Sequence, residues 1–507
     1  MRRHRFWLGA ILIGASLLRL PALWWGLPPA IPHVIASDIR CSYAFDEDDI
    51  LTAISFSNAA KGDFDPRDYH WGTLHLHLLQ FWMGAAETAG AFHRAWRDAY
   101  YHMVPGAFDT VYAAGRLLST SLALLSIALM FLLGREAGGG SVGLWAAALV
   151  AVSPAHMMAS TQIRADITML ALVTLTVWLG LRSLGSQSSR AMVWMGAAAG
   201  LAISAKYIAA LTVIPVLLLV LARNHARPAA WAFVAGAAAA GFIFGEPYVL
   251  VKPQEIFQSA HRVLEANTSV PPRFAVSIPM LLGKQGLYAA RFSVGPPAFL
   301  LALAGIVLML RKRSPSGLAL LIGLAGSIAA LLPLAWPLLR YQLPLLPFLA
   351  VAAAFALMRF RAAPRAALGV VALSFPLFAS LAQLAYMRSP HPANEALRLI
   401  LKETPPGVAI SRLAAELPPL NRKIYPLGPN PFLDDLSASP PDWVLTADLP
   451  EQEYPAGNRD ALRNTYELLG SFQSTRKFAW ASLGESGAPH DWKYTHPRMA
   501  LYRRRER

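Results

Sequence analysis

Residues 117–133 read LLSTSLALLSIALMFLL, seventeen positions without one Asp, Glu, Lys, Arg or His. Together with the six residues before it, this run is long enough to cross a hydrocarbon core roughly 30 Å thick at about 1.5 Å per residue. Comparable apolar stretches of about 16 to 23 residues lie at 6–26, 142–159, 166–182, 191–206, 207–222, 228–245, 292–310, 317–336, 341–358 and 366–386. The two at 191–222 require a turn near Lys206, because a single tilted helix there would reverse everything that follows. The chain as a whole agrees: of 507 residues 55% are hydrophobic and 15% charged, with a mean hydropathy of +0.40. Soluble domains carry about a quarter charged residues. The expected fold is therefore an all-α polytopic membrane protein of about eleven transmembrane helices, with a small α/β extracytoplasmic C-terminal domain.

The balance of 45 Lys and Arg against 30 Asp and Glu gives a net charge of +15. An excess of this size ordinarily raises the question of a nucleic-acid partner. Its distribution answers otherwise. Arg2, Arg3 and Arg5, Arg135, Arg182 and Arg190, Arg223 and Arg227, Arg311 to Arg313, and Arg359, Arg361 and Arg365 all fall on one side of the predicted spans. By the positive-inside rule that side is cytoplasmic. The expectation is a multi-pass protein of the inner cell membrane, in contact with membrane lipid and with no nucleic-acid partner. The N-terminal segment reads as a first span rather than a cleaved signal, since Arg19 interrupts it and no small-x-small site follows. Cys41 is the lone cysteine, so no intrachain disulfide is available.

This orientation divides the chain into a membrane domain, 1–387, with outer loops at 27–110 and 246–291, and an extracytoplasmic domain, 388–507. In the latter, 394–403 has helical spacing and a Pro405-Pro406 stop, while 407–410, 443–447, 477–482 and 499–502 read as strands.

Chemistry is expected on the outer face. Asp46-Glu47-Asp48-Asp49 opens the first outer loop. Clustered carboxylates repel, so one of them holds its proton more tightly and is a candidate general base; an acidic helix N-terminus favoured by the helix dipole is the equally weighted alternative. If the cluster starts a helix, Asp46 and Asp49 share a face with Ile50 and Ala53. Arg164 and Asp166 occupy the short outer turn between the third and fourth spans, where ionisable groups are functional by default; a mutual salt bridge capping the helix competes with that reading. His156 reads as a satisfied core histidine.

Lys206-Tyr207 and Arg340-Tyr341 put isolated cations on the side where the positive-inside rule disfavours them. A phosphate is a physical reason to keep them there, and snorkelling to headgroups is the bland one. Glu246 opens the second outer loop, and a pairing with one of these cations is expected. His70, His75 and His77 lie beside acidic residues, which suits a divalent metal as a possible cofactor. They show no fixed ligand spacing, and substrate contact or an interfacial helix explains them better.

The set as a whole resembles the membrane glycosyltransferases of the C superfamily, in particular the branch of protein O-mannosyltransferases and lipid A aminoarabinose transferases. The resemblance rests on Arg19-Leu20 ahead of Asp46-Glu47, then Lys61-Gly62-Asp63-Phe64-Asp65-Pro66 and His70-Trp71-Gly72-Thr73-Leu74. Further on come Arg164-x-Asp166, Ala205-Lys206-Tyr207, Glu246-Pro247-Tyr248, Arg340-Tyr341-Gln342-Leu343-Pro344 and an outer C-terminal domain. It implies transfer of a sugar from a polyprenyl phosphate donor to an acceptor hydroxyl on a glycan, lipid or protein, outside the membrane and with inversion. It implies further that Asp46 is the general base, with Glu47 beside it and Asp166 with Arg164 completing an acidic cavity. Lys206, Arg340 and Tyr341 would hold the lipid phosphate. Asp48, Asp49, His70, Tyr207 and Glu246 are further candidate substrate contacts. Because Asp48 and Asp49 extend the usual Asp-Glu pair, the base is one of four neighbouring carboxylates.

A transporter or flippase of a lipid-linked or envelope substrate is the alternative of a different class. It requires charged or broken helices near mid-membrane, and the runs at 117–133, 167–181, 297–310 and 341–358 carry no charged residue.

Overall fold

The computed structural model describes residues 2–27, 47–56, 63–92, 109–186, 188–224, 228–268, 277–334, 338–412, 424–429, 436, 440–447, 456–474, 477–479, 481–482, 489–493 and 498–505. The chain divides into two compact units. The first comprises Met1–Pro21, Phe56–Ala85 and Gly115–Leu381; the second Ala22–Ser55, Ala86–Ala114 and Ala382–Arg507.

Each apolar stretch of the sequence is helical. The main helices are Arg2–Arg19, Asp109–Gly138, Ala165–Ser186, Ser189–Ala205, Ala210–Arg223, Pro228–Gly245, Pro296–Lys312, Pro315–Leu331, Leu346–Leu357 and Ala362–Met387. Helices satisfy the backbone within the segment, which is why lipid-facing sequence adopts them. Six segments of the described chain are long and apolar enough to cross a membrane unaided. The stretch 142–159 is not one continuous span: Gly140–Ala151 and Pro154–Ser160 meet at a bend of 63°. Pro154 starts the second helix, capped by Ser153, whose side chain accepts from the His156 N–H. Near Lys206 the chain also breaks: Ser189–Ala205 ends, Lys206 is extended, and a short 3-10 turn, Tyr207–Ala209, leads into the next helix.

Burial sorts the helices. Only 17% of the apolar window of Pro228–Gly245 is buried, against 89% for Leu339–Leu357, so the former faces lipid and the latter runs through the core. Pro228–Gly245 packs on Ser189–Ala205 through small residues: a Cβ on Gly200 would lie 2.0 Å from the Ala238 carbonyl oxygen, and one on Gly241 2.3 Å from that of Ala197. Where lipid is as apolar as the side chains, such close backbone approach is what holds helices together. His156 is satisfied within the core, between Arg19 and Ser126.

In the second unit, a four-stranded sheet runs β1 (Ile410–Arg412), β2 (Trp443–Ala447), β6 (Met499–Arg504), β3 (Tyr466–Phe472), with β1 and β2 parallel and the other pairs antiparallel. β4 (Lys477–Phe478) and β5 (Ala481–Ser482) form a separate hairpin. The helix Pro392–Glu403 buries Ala393, Ala396, Leu397 and Ile400, one face at helical spacing, against Ile410, Trp443, Leu445 and Leu501. The same unit contains the helix Glu47–Phe56 up to Ser55. Its described buried residues are Glu47, Ile50, Leu51, Ala53 and Ile54, so Ile50 and Ala53 are buried together and Glu47, one turn before Ile50, is buried with them. Asp46 and the side chains of Asp48 and Asp49 lie outside the described residues.

Candidate functional site

Within the first unit, the outer-face residues singled out from the sequence assemble into two neighbouring groups. Asp166 sits in the first turn of Ala165–Ser186, where the helix dipole favours a carboxylate. Lys206 follows the end of Ser189–Ala205, and its Nζ lies 2.6 Å from Asp166 Oδ1. Both side chains are almost wholly buried. Arg340 and Tyr341 come from the 3-10 turn Leu339–Leu345. Lys206 Nζ and Arg340 Cζ each lie 5.7 Å from the centroid of the Tyr341 ring, within the range of cation–π attraction.

These four residues line one recess whose remaining walls include Met169, Ile208, Leu331 and Pro344. Arg164 and Arg340 both act electrostatically on Asp166 and Lys206. Three cations therefore surround one carboxylate in largely apolar walls, where charge is felt more strongly than in water. Asp166 takes Lys206 as its ion-pair partner, so the local Arg164–Asp166 bridge considered from the sequence is not what satisfies it.

The second group corrects another expectation. Glu246, fully buried, pairs with none of the cations. Its Oε2 accepts from the Thr73 N–H at 2.8 Å and the Tyr207 hydroxyl at 3.2 Å, while Oε1 has no hydrogen-bond partner among the described residues. Burial pushes its carboxyl up to about 7, with the Asp65 charge adding to the rise and the bonds from Thr73 and Tyr207 opposing it. Lys206, next to Tyr207 in the chain, is instead engaged by Asp166.

The segment Tyr69 to Thr73 is stitched to the same turn. The Tyr207 N–H donates to Trp71 O at 3.3 Å, the Tyr207 hydroxyl oxygen lies 3.4 Å from Tyr69 O, and Thr73 Oγ1 donates to Gly245 O at 2.9 Å. Gly72 has φ +111, and a Cβ there would lie 2.3 Å from Ser204 O. The Trp-Gly-Thr sequence is thus explained by close backbone approach at a conformation L side chains rarely adopt.

The three histidines diverge. His70 is exposed and bonded to Asp68, His75 Nδ1 lies 2.8 Å from Thr168 Oγ1, and His77 Nδ1 lies 3.2 Å from Gln80 Oε1. Among the described residues no three His, Cys, Asp or Glu side chains stand together as a metal site. Sequence reasoning missed the link between the two outer loops: Asp65 accepts from Lys252 Nζ and from the Tyr69 hydroxyl, each at 2.7 Å. Only the Asp-Phe-Asp-Pro run pointed to Asp65, and nothing local pointed to Lys252.

A profile of dolichyl-phosphate-mannose-protein mannosyltransferases matches residues 107–248, a minority of the chain that includes Arg164, Asp166, Lys206 and Glu246. No curated protein matches in sequence. Among solved structures, the chain is similar to ArnT from Cupriavidus metallidurans bound to undecaprenyl phosphate, at 13% identity and a TM-score of 0.54, over 98% of this chain and 97% of that one. It is also similar to the apo oligosaccharyltransferase of Archaeoglobus fulgidus, at 14% identity and a TM-score of 0.50 over 88% and 69% of the two chains. The archaeal oligosaccharyltransferase AglB from the same organism, in complex with an inhibitory peptide and a dolichol-phosphate, matches at 15% identity and 0.51 over 94% and 74%. At such identities the likeness is one of fold. The fold is shared with ArnT and with the archaeal oligosaccharyltransferase, and the protein is a multi-pass membrane protein.

Proposed function

We propose that this chain transfers a sugar from a polyprenyl phosphate carrier to an acceptor hydroxyl, with inversion, on the outer face of the inner cell membrane. The observation that carries the reading is the recess of Lys206, Asp166, Arg340 and Tyr341, with Arg164 beside it, located where apolar helices end. A donor that diffuses in the bilayer presents its phosphate at that level. Two of the similar structures hold such lipids, undecaprenyl phosphate in one and dolichol-phosphate in the other, which supports the donor class.

In this mechanism the acceptor hydroxyl loses its proton to a carboxylate, Asp46 by the family resemblance, as its oxygen bonds the anomeric carbon. The bond from that carbon to the phosphate oxygen breaks, and polyprenyl phosphate leaves with the electron pair. Lys206 and Arg340 offset the charge that develops on the leaving phosphate, and Tyr341 holds their side chains by its ring. Glu47, buried on its helix, positions the base; Asp48, Asp49 and His70 contact sugar or acceptor. Tyr207 and Glu246 fix the turn that presents Lys206. Glycan, lipid and protein hydroxyls are all acceptors of suitable chemistry.

The transporter alternative calls for broken helices, and one is found, at 63° between Gly140–Ala151 and Pro154–Ser160. The buried polar groups Arg19 and His156 at that bend bond one another and their neighbours, as a closed core does and a transport site does not.

The test is Asp46→Asn in proteoliposomes with a radiolabelled polyprenyl phosphate sugar and envelope extract as acceptor. The variant is expected to insert normally and lose transfer. Full activity would move the base to another carboxylate or end this mechanism. Alkaline phosphatase fused after Ser389 is expected to be active and after Arg313 inactive; the reverse would place the site on the wrong face.

A further inference from the structure

Arg19 closes the first helix, Arg2–Arg19, and is fully buried. Its Nη1 donates to Ala15 O at 2.9 Å and to Ala151 O at 3.1 Å, and its Nε to Ser160 Oγ at 2.9 Å. Its Nη2 lies 2.7 Å from His156 Nδ1. All four partners are neutral. Ala151 is the last residue of Gly140–Ala151, and its carbonyl is among those a helix end leaves without a helical donor. His156 and Ser160 belong to Pro154–Ser160. One guanidinium thus grips both halves of the bent helix pair, a task for a planar fork of five donors.

The proton positions follow from the partners. A guanidinium only donates, so His156 Nδ1 offers its lone pair and the ring proton is on Nε2. That N–H donates to Ser126 Oγ at 2.9 Å, and the Ser126 hydroxyl donates to Ala123 O at 2.7 Å. Ser160 is held twice more: its hydroxyl donates to Met157 O at 2.8 Å, and its carbonyl accepts from Thr120 Oγ1 at 3.0 Å. The chain leaves this clamp at Ser160, and the turn that follows carries Arg164 and leads into the helix whose first turn holds Asp166.

We propose that Arg19 is a positioning residue for the phosphate recess: by bracing Pro154–Ser160 at its bend, it sets where the next turn delivers Arg164 and Asp166. Among the described residues no carboxylate pairs with Arg19, and a buried arginine so placed is kept where its geometry is needed; its contacts lie on its own helix and on the bent pair, not in the recess. This inference rests on the reading of the recess as a phosphate site.

The experiment uses the full chain in nanodiscs, with hydrogen exchange and binding of undecaprenyl phosphate as separate readouts. Arg19→Met and Ser160→Ala are expected to speed amide exchange across 154–166 and leave 189–205 unchanged. Arg19→Met is expected to weaken undecaprenyl phosphate binding about tenfold, as small misplacements of binding groups do, and Arg19→Lys to recover part of that loss. Because Arg19 acts through Asp166, Arg19→Met combined with Asp166→Asn is expected to bind no more weakly than the worse single variant. Unchanged exchange at 154–166, or losses that multiply in the double variant, would overturn the proposal. If Arg19→Met does not reach the membrane, Ser160→Ala paired with Asp166→Asn carries both readouts. Absence of binding by the unmodified protein would instead strike the phosphate reading, leaving the exchange result to judge the brace by itself.

Discussion

Lys206 Nζ sits 2.6 Å from Asp166 Oδ1, joining residues forty positions apart at the end of two helices. The pair is neutral by itself, and Arg164 and Arg340 act on it as well, so three cations gather around this one carboxylate. A buried ion pair is weak support for stability, and three cations gathered at one recess are the groups a lipid phosphate would meet. The Tyr341 ring is within reach of both Lys206 and Arg340 and attracts them through its face without carrying a charge of its own.

Lys206→Met removes the central cation. The KM for a polyprenyl phosphate sugar is expected to rise at least about tenfold, the loss of one charge-assisted contact of roughly 1.5–3 kcal/mol. Lys206→Arg is expected to fall between Met and the unmodified protein, since the fork keeps the charge but changes the reach. Initial rates in proteoliposomes over a range of donor concentrations check this, and an unchanged KM would remove Lys206 from the phosphate site.

Glu246 predicts a pH dependence of stability. Its carboxyl is raised from 4.5 to about 7 in the folded protein, so the folded state holds this proton more tightly than the unfolded chain does. That contribution is fully present below about pH 4.5 and is lost as pH rises through about 7. The unmodified protein in detergent is expected to lose on the order of 2–3 kcal/mol between these limits from this group. Glu246→Gln keeps the acceptor for Thr73 and Tyr207 and is expected to flatten the profile. Parallel profiles from thermal melts at pH 5 and pH 8 would show that Glu246 does not titrate in this range.

The helices were legible because hydropathy is a strong signal when every backbone group must bond within its own segment. The break at Ser153-Pro154 was written in the sequence too, as a cap residue followed by proline, but the apolar run across it masks the punctuation. Lys206 and Arg340 stood out as exceptions to the charge rule. Their partners did not: Lys206 with Asp166, Glu246 with Thr73 and Tyr207, and Asp65 with Lys252 are contacts between distant segments. Local spacing carries no information on these. Nor did it show that Glu47 is buried with Ile50 and Leu51, since a buried carboxylate runs against the usual pattern.

Leu397 tests the small domain. It is fully buried in the cluster with Ile410, Trp443, Leu445 and Leu501, and Leu397→Ala is expected to cost about 2–5 kcal/mol. Leu401, four residues on, is 39% exposed, and its change to Ala is expected to cost about 0.5 kcal/mol or less. Limited proteolysis of the full chain compares them: Leu397→Ala is expected to open new cleavage sites between 388 and 507, and Leu401→Ala to match the unmodified pattern.

Gly72 separates two costs that usually come together. At φ +111 any side chain is strained, and here a Cβ would also lie 2.3 Å from the backbone oxygen of Ser204. Gly90 also has positive φ, +78, but a Cβ there meets nothing within 4 Å. Gly90→Ala therefore carries strain alone, about 1 kcal/mol. Gly72→Ala adds a clash with backbone that no rotamer relieves, and the chain must separate Trp71 from the Tyr207 turn to accommodate it. Because that turn presents Lys206, Gly72→Ala is expected to lower both melting temperature and donor binding, while Gly90→Ala shifts the melting temperature slightly and leaves binding intact. Equal effects of the two substitutions on donor binding would mean that the approach of Gly72 to Ser204 has no part in placing Lys206.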